Sequence, residues 1–201
     1  MTSALLSSIE FDLTNLKTGE TLPKSAILTA PTLIYVVRRP GCLLCREQAQ
    51  ILENHRDEIE KQGVNMIAVF KEREGVDEFA KEFWRGGIFL DSNLEFYKYL
   101  GKGEVQSYGA SDLFKISSMV ALARATRKGI WNNLTGEGFK KGGLVLVDGS
   151  GNSVLDIPEV EMGELFPIDK IMAACKQFAA TSDDIKPSPT PIQLVHTSCT
   201  R

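Results

Sequence analysis

An almost unbroken apolar run, "TLIYVV", covers Thr32 to Val37 and is rich in β-branched and aromatic side chains. This pattern predicts a central strand that is buried on both faces of a sheet. From Cys42 onwards the apolar positions recur about every 3.6 residues, which predicts a helix that continues to Ile59, with Gly63 as its stop signal. The chain is therefore expected to pass directly from a buried strand into an amphipathic helix.

Apolar patterns typical of strands and of helices continue along the rest of the chain. Strands are predicted in "VNMIAVF", in "GIFLD" and in the hairpin "GLVLVDGSGNSVLDI", after a first short strand and turn in "IEFDLTNLKTGETL". Helices are predicted in "GVDEFAKEFW", "SNLEFYKYLG", "SDLFKISSMVALARATRKG" and "PIDKIMAACKQFAA". After Ala180, prolines at alternate positions and the loss of a helical period predict a flexible tail over residues 181–201. We therefore expect one folded domain over residues 1–180.

Strands that alternate with helices predict an α/β fold, because crossover helices connect parallel strands. The final hairpin adds antiparallel pairing, so the expected architecture is a mixed central sheet flanked by helices. Cys42 and Cys45 stand in a C-x-x-C arrangement at the first strand-to-helix turn. A C-x-x-C beside a βαβ pattern is typical of the thioredoxin-like fold, which is the fold class that we predict.

Composition limits the classes of protein that fit. The 201 residues, 43% hydrophobic and 24% charged, suit a folded domain whose core needs no disulfide staples. A net charge of −3 gives no reason to expect a nucleic-acid partner, and the apolar runs are shorter than the roughly 20 residues of a membrane span. The N-terminal "MTSALLSSIEFDL" lacks the basic and apolar regions of a secretory signal. Because the chain has only four cysteines, we predict a reducing, cytoplasmic location.

The cysteine pair is the first candidate for chemistry. Pro40 and Gly41 break the strand, so the helix is expected to begin at or near Cys42. Unpaired N–H groups in the first turn of a helix stabilise a thiolate and lower its pKa from about 8.5. The pair is thus placed where a helix terminus can activate a thiol without a neighbouring base.

Three arginines surround the pair in sequence: Arg38, Arg39 and Arg46. Each would stabilise the thiolate further if its side chain turned towards the sulfur, whereas Glu47 would oppose them. Neither histidine is placed to activate a thiol, because His55 lies roughly 15 Å along the helix from Cys45 and His196 is in the tail. A protease-like Cys–His dyad is therefore not expected.

Three interpretations of the pair remain open. The two cysteines could simply be buried apolar residues. A zinc site needs about four ligands, for which only Cys175, Cys199 and the two histidines remain. The spacing at a strand-to-helix turn favours a redox pair. In that case Cys42, which is nearest the helix start and expected to be exposed, is the predicted nucleophile, and Cys45 resolves the mixed disulfide.

Other segments give weaker indications. Leu43 and Leu44, between the cysteines, indicate either a surface that docks a partner protein or lipid-like substrate, or no more than surface leucines. Cys175 lies on an apolar helix face and is predicted to be part of the core. Four glycines over residues 136–143 precede a strand rather than a helix, so they are not expected to bind phosphate. We expect instead a backbone loop that passes close to the thiols.

Three blocks in order, "RRPGCLLCREQA", "GIFLD" with "FYKYLG", and "NLTGEGFKKGGLVLVDGSGNSVL", resemble the peroxiredoxin-like 2 family. The resemblance runs from about Thr18 to Ala180 and is greatest to the redox-regulatory, antioxidant subtype A. A sibling subtype is the prostamide/prostaglandin F synthase, which reduces a prostaglandin endoperoxide with its C-x-x-C. The resemblance implies a thioredoxin-fold thiol oxidoreductase, related to the AhpC/TSA proteins, whose redox pair is Cys42 and Cys45.

The sequence departs from the peroxiredoxin pattern P-x-x-x-[TS]-x-x-C. If Cys45 is set at the cysteine of that pattern, Cys42 replaces the threonine or serine and Arg38 replaces the proline. That alignment favours Cys45 as the attacking sulfur, against its position in the helix. Gly142 and Gly143 also end the loop in which thioredoxins place a cis-proline beside the pair. The supporting residues expected around the pair are Arg39, Pro40, Gly41, Arg46, Gly142 and Gly143.

The predicted function is that of a thiol–disulfide redox protein with an antioxidant or redox-regulatory role. We expect no bound cofactor, and electrons from NADPH through a thioredoxin- or glutathione-type partner, because the sequence has no dinucleotide-binding fingerprint. The expected substrate is an oxidised protein or a small peroxide-like molecule. Two alternatives stay open: an endoperoxide reductase of the prostaglandin F synthase type, and a non-catalytic binding module on the same fold.

Overall fold

The structure is a computed structural model that describes residues 6–109, 111–112, 115–131, 133 and 136–179. In chain order its elements are a 3₁₀ turn (Leu6–Ser8), β1 (Asp12–Asn15), β2 (Thr21–Pro23), α1 (Lys24–Ile27), β3 (Thr32–Val36), α2 (Leu43–Asn54), α3 (Arg56–Lys61), β4 (Asn65–Phe70), α4 (Val76–Glu82), β5 (Gly87–Leu90), α5 (Glu95–Leu100), α6 (Ile116–Arg127), β6 (Gly143–Val147), β7 (Ser153–Pro158) and α7 (Ile168–Cys175). None of the helices in these ranges combines the length and the apolar content needed to cross a membrane. The predicted tail over residues 181–201 lies outside the described residues.

The seven strands form one sheet in the order β2-β1-β5-β4-β3-β6-β7. Strands β3, β4 and β5 run parallel, joined by crossover helices, and the other neighbours pair antiparallel. The prediction of a mixed central sheet flanked by helices is therefore confirmed. The hairpin β6–β7 lies beside β3, so the start of β6 is next to the end of the strand that leads to the cysteine pair.

Two hydrophobic cores cover the two faces of the sheet. In β3, Leu33 and Tyr35 belong to the core that includes residues of α2, α4, α6 and α7, whereas Ile34 and Val36 belong to the core of α5 and the N-terminal segment. All five residues of β3 are buried, as the pattern of "TLIYVV" predicts. Because both faces are covered, the turn after β3 lies deep in the molecule.

Two local features differ from the sequence prediction. The helix expected from Cys42 to Ile59 is broken at His55, where the imidazole Nδ1 lies 2.9 Å from the carbonyl oxygen of Ile51. The N-terminal segment forms two strands, β1 and β2, rather than one strand and a turn. Gly19 in the connection between them has a φ of +77°, a conformation that favours glycine.

Candidate active site

Cys42 is the N-cap of α2, in the turn that follows β3. Its backbone is extended, with φ −78° and ψ 125°, and its carbonyl accepts a hydrogen bond from the Arg46 N–H at 3.0 Å. The Cys42 N–H donates to the carbonyl of Arg39 at 3.1 Å and closes the turn. The predicted helix start is therefore confirmed, and it places Cys42 beside the N–H groups of the first helical turn, which have no helical partner.

The two cysteines approach each other to 4.0 Å, and both are free thiols. Cys42 is 5% exposed and Cys45 is 4% exposed, so the expectation that Cys42 is exposed is wrong. One group that contacts the Cys42 sulfur is the buried side chain of Arg38, which also binds the loop before β6. Leu43 and Leu44 are also buried, so the expectation of a docking surface, or of surface leucines, at these two positions is wrong as well.

The surroundings of the pair shift the pKa values of the two thiols in opposite directions. The pKa of Cys42 lies well below its usual range, because the Cys45 thiol donates a hydrogen bond to its sulfur. The Arg38 guanidinium and the N–H groups of Cys45 and Leu44 act in the same direction, against the cost of burial. The pKa of Cys45 lies well above its usual range, because its proton is held in the hydrogen bond to Cys42 and because the thiol is buried. A thiol with a lowered pKa next to a second, protonated thiol is the pairing of attacking and resolving sulfurs that a dithiol oxidoreductase uses.

Arg38 is the cation that contacts the sulfur. Its Nη2 lies 3.0 Å from Cys42 Sγ, its Nη1 donates to the carbonyl of Gly138 at 2.8 Å, and its Nε donates to Glu159 at 3.3 Å. The side chain is 4% exposed, so water and salt screen these interactions weakly. Glu159 lies 121 residues further along the chain, and no local sequence pattern indicated that it belongs to the site.

Arg46 stabilises the turn that contains Pro40. Arg46 is fully buried and donates to the carbonyls of Pro40 at 3.0 Å and Trp131 at 2.9 Å, and to Glu78 at 2.6 Å. Its guanidinium also lies over the Trp131 ring, 4.3 Å from the centroid. The side chain of Arg39 lies near Gly138. Arg46 therefore acts on the pair through the position of Pro40 and not through direct contact with Cys42.

Gly41 is required where two backbone segments cross. Its carbonyl accepts a hydrogen bond from the Asn133 N–H at 2.7 Å, and a Cβ at this position would overlap the Asn133 carbonyl oxygen. We expect Gly41→Ala to lower the free energy of unfolding by about 1–3 kcal/mol, because the two segments must separate to admit the methyl group. Urea titration measures this change.

The matched control for this prediction is Gly149→Ala, because a Cβ there makes only ordinary contacts, at 3.6 Å or more. We expect its unfolding midpoint to differ little from that of the unsubstituted protein. Equal midpoints for Gly41→Ala and Gly149→Ala would show that the two segments do not lie as close as the structure has them.

Gly142 and Gly143 bring the loop before β6 against the turn after β3. Gly143 pairs with Val36 in the sheet, and the Gly142 N–H donates to Glu159 at 3.1 Å. A Cβ on Gly142 would overlap the carbonyl oxygen of Val36, and a Cβ on Gly143 would lie 2.6 Å from that of Ile157. The expectation that the glycine loop passes close to the thiols is confirmed. No cis peptide bond occurs within the described ranges of the chain.

Several residues singled out in the sequence lie away from the sulfur atoms. Glu47 is fully buried but accepts hydrogen bonds from Arg124 and forms an ion pair with Lys128, so it ties α2 to α6 instead of opposing the arginines. Cys175 is fully buried, as predicted, and burial raises its pKa to about 11. Cys199 lies outside the described residues. In the part of the chain that the structure describes, no group of three or more side chains is arranged to hold a metal ion.

Comparison with known families agrees with this architecture. The family model of the AhpC/TSA antioxidant enzymes matches residues 51–159, a span that begins after the cysteine pair. Peroxiredoxin-like 2A from Danio rerio is 31% identical over 180 residues, which cover 88% of this chain and 80% of that protein. Prostamide/prostaglandin F synthase from Bos taurus is 32% identical over 169 residues, which cover 82% of this chain and 81% of that protein. The chain belongs to the peroxiredoxin-like 2 family, as its three sequence blocks indicated.

Some relatives are longer than this chain. The alignment with peroxiredoxin-like 2A from Gallus gallus, at 33% identity, covers 72% of this chain but 64% of that protein. Solved structures share the fold: AhpC from Enterococcus faecalis has a TM-score of 0.60 at 13% identity, over 94% of this chain and 100% of that chain. Peroxidoxin BcpB from Mycobacterium tuberculosis has a TM-score of 0.57 at 14% identity, and the match covers 88% of this chain and 96% of that chain. The predicted thioredoxin-like fold is therefore confirmed.

Proposed function

We propose that this protein is a thiol–disulfide oxidoreductase that cycles Cys42 and Cys45 between a dithiol and an intramolecular disulfide. The observation that carries the proposal is the contact between Arg38 Nη2 and Cys42 Sγ, at 3.0 Å, with the second thiol beside it. The hydrogen bond from Cys45 and the buried guanidinium both stabilise the thiolate form of the nucleophile and lower its pKa. A relative named peroxiredoxin-like 2A supports the redox role.

The cycle has two steps. In the first, the Cys42 thiolate attacks one sulfur of an oxidised protein, which leaves a mixed disulfide on Cys42 and releases a thiolate that takes up a proton. With a peroxide-like substrate the thiolate attacks the O–O bond instead, which leaves a sulfenic acid and releases an alcohol or water. In the second step Cys45 loses its proton, its sulfur attacks Cys42 Sγ, and a thiol or water leaves. The substrate has then gained two electrons and two protons, and the protein is a disulfide.

The oxidised protein must be reduced before it can react again. A thioredoxin- or glutathione-type thiol would do so by attacking the Cys42–Cys45 disulfide, with NADPH as the final source of the electrons through that partner's own reductase. Such thiol systems are maintained in reducing compartments, so the proposal places the protein in the cytosol. The role is then antioxidant or redox-regulatory, and this chain needs no bound cofactor for it.

A second candidate is the reduction of an endoperoxide of the prostaglandin type. One observation favours it, the 32% identity with a relative named prostamide/prostaglandin F synthase. An endoperoxide is a cyclic O–O bond, so attack by the Cys42 thiolate would break it into an alkoxide, which takes up a proton, and a sulfenate ester that joins the other oxygen to Cys42. Attack by Cys45 on Cys42 Sγ would then form the disulfide and release the second oxygen as a hydroxyl group. Turnover of an endoperoxide with a dithiol reductant, against turnover of a protein disulfide, decides between the two candidates.

Equilibration of the protein in a series of glutathione redox buffers tests the main proposal. We expect one reversible two-electron transition, in which an intramolecular disulfide joins Cys42 to Cys45. Mass spectrometry after alkylation measures the disulfide, which should be absent from Cys42→Ser and Cys45→Ser and unchanged in the control Cys175→Ser. If no internal disulfide formed in any buffer, the redox proposal would be wrong and a non-catalytic binding module would replace it.

A further inference from the structure

A small cavity lies beside Cys45, between α2 and the start of β6. Its lining includes Tyr35, Cys45, Gln48 and Glu159, and its volume is about 20 Å³. A cavity of this size has room for about one water molecule, which is stable there only if polar groups surround it. Cys45 and Glu159 therefore both border a space that is large enough for a single water molecule.

Gln48 shows that this cavity suits a polar occupant. The side chain is 4% exposed, and its Oε1 accepts a hydrogen bond from the Phe166 N–H at 2.9 Å. That bond fixes the orientation of the amide, so the free end is the Nε2 donor. No hydrogen-bond partner for Nε2 occurs among the described residues. Because a buried donor without a partner is costly, a water molecule in the cavity is the expected partner.

Glu159 is the acceptor on the other side of the cavity. Its side chain is 12% exposed, and its two oxygens accept hydrogen bonds from Arg38 Nε at 3.3 Å and from the Gly142 N–H at 3.1 Å. Burial raises the pKa of this carboxyl group above its usual range, although Arg38 opposes the shift. A carboxylate with a raised pKa takes up a proton more readily than an exposed one.

The second step of the cycle needs such a group. The Cys45 proton is held first by the hydrogen bond to the Cys42 sulfur, then by burial and by the negative charge of that sulfur. Once Cys42 has formed a mixed disulfide, its sulfur carries no charge and is a poor hydrogen-bond acceptor. Burial and the negative charge of Glu159 then still oppose ionisation of Cys45, whereas Arg38 favours it, and transfer of the proton to Glu159 removes that negative charge. Cys45 is 4% exposed, so few bulk water molecules reach it, and a nearby acceptor would assist the release of its proton.

We propose that Glu159 accepts the Cys45 proton through a water molecule held by Gln48, as the Cys45 sulfur attacks Cys42. This inference rests on the proposed function. In the step, the Cys45 S–H bond breaks and its proton passes through the water to a Glu159 oxygen. The electron pair that remains on Cys45 forms the bond to Cys42 Sγ, and the substrate sulfur leaves as a thiolate. Glu159 then loses the proton to solvent before the next cycle.

The other titratable groups around the cavity do not fit this role. Arg38 is a cation with no acceptor atom. Burial raises the pKa of Tyr35 and of Tyr108, so both hydroxyl groups stay neutral and are weak acceptors of a proton. Glu164 also lies at the edge of the cavity, but it is exposed, so water stabilises its charge. Glu164 therefore serves as a control for the loss of a carboxylate near the site.

Two successive releases of thiopyridone test the proposal. The protein is the full chain with Cys175 and Cys199 replaced by serine, and the oxidant is 2,2′-dithiodipyridine. Attack by Cys42 releases one thiopyridone, and attack by Cys45 on the mixed disulfide releases the second. We expect Glu159→Gln to slow the second release by about 100-fold or more at neutral pH, the scale of a lost general base, and to change the first release far less.

The pH dependence separates proton transfer from a structural effect. In the unsubstituted protein the second release should level off once Glu159 is ionised, whereas in Glu159→Gln it should keep rising with pH, because hydroxide must take the proton. Gln48→Leu should also slow the second release alone, and Glu164→Gln should change neither. If the second release is equally fast in Glu159→Gln and the unsubstituted protein, Glu159 is not the acceptor, although the redox function stands. If the unsubstituted protein gives no second release, the redox function itself fails.

Discussion

Replacement of Cys42 by serine is expected to lower the rate of disulfide reduction by at least about 1,000-fold, the scale seen when a covalent nucleophile is removed. A serine hydroxyl is not ionised near neutral pH, so the contact with Arg38 has no charge to stabilise. Cys45→Ser should give a different result, because the Cys42 thiolate and its Arg38 contact remain. That variant should react once and stop as a mixed disulfide on Cys42. Thiol release together with the intact mass of the protein measures both outcomes.

The controls for this prediction use the hydrogen bond between the two cysteines. A serine at position 45 can still donate to the Cys42 sulfur, whereas Cys45→Ala cannot, so the alanine variant should raise the pKa of Cys42 and slow the first step as well. Cys175→Ser lies in the core and should leave the rate unchanged. If Cys42→Ser keeps the first step and Cys45→Ser loses it, Cys45 is the attacking sulfur, as the alignment with the peroxiredoxin pattern favours.

Replacement of Arg38 by methionine is expected to raise the pKa of Cys42 by about 1–3 units, the effect of losing an opposite charge at close range. Because the native pKa lies well below its usual range, the thiolate persists until the pH falls below that low value. In Arg38→Met the thiolate is lost at a higher pH. The rate of alkylation of Cys42 should therefore fall most at pH values between the native pKa and that of the variant, and hardly at all at pH values above both. A more basic thiolate is a better nucleophile, which offsets part of the loss.

Arg38→Lys is the matched variant, since it keeps the charge but not the geometry of the guanidinium. We expect an intermediate pKa for Cys42, because a lysine ammonium cannot bind the sulfur, the Gly138 carbonyl and Glu159 together. Arg38→Met also leaves Glu159 buried without its cation, at a cost of about 3–5 kcal/mol, and Arg38→Met with Glu159→Gln should recover part of that stability. An unchanged pH profile for alkylation in Arg38→Met would show that Arg38 does not activate Cys42.

Local patterns in the sequence predict much of the fold and the place of the cysteine pair. The strand β3, the start of α2 at Cys42 and the β6–β7 hairpin follow from apolar periodicity and from turn residues, which act over a few positions. The break at His55 could not be predicted in this way, because the apolar positions continue on the same face through Ile59. At the break, the His55 imidazole Nδ1 lies 2.9 Å from the carbonyl oxygen of Ile51, a polar contact that an apolar pattern does not record.

The surroundings of the pair depend on contacts that are distant in sequence. The sequence near the pair contains three arginines, Arg38, Arg39 and Arg46, which no local pattern distinguishes. Only the folded structure shows that Arg38 contacts the sulfur, whereas Arg46 binds Pro40, Trp131 and Glu78. Glu159 enters the site because β6 and β7 lie next to β3. The loop that Arg38 binds likewise comes from residues far along the chain.

The 5% exposure of Cys42 has a kinetic consequence. A substrate can reach the sulfur only in the fraction of molecules in which the covering groups have moved aside, so the observed rate constant is the intrinsic one multiplied by that fraction. At high oxidant concentration the reaction should then saturate at the rate of opening, even for oxidants with no measurable binding affinity. Discrimination among oxidants would follow from how far the protein must open for each, rather than from how tightly each one binds.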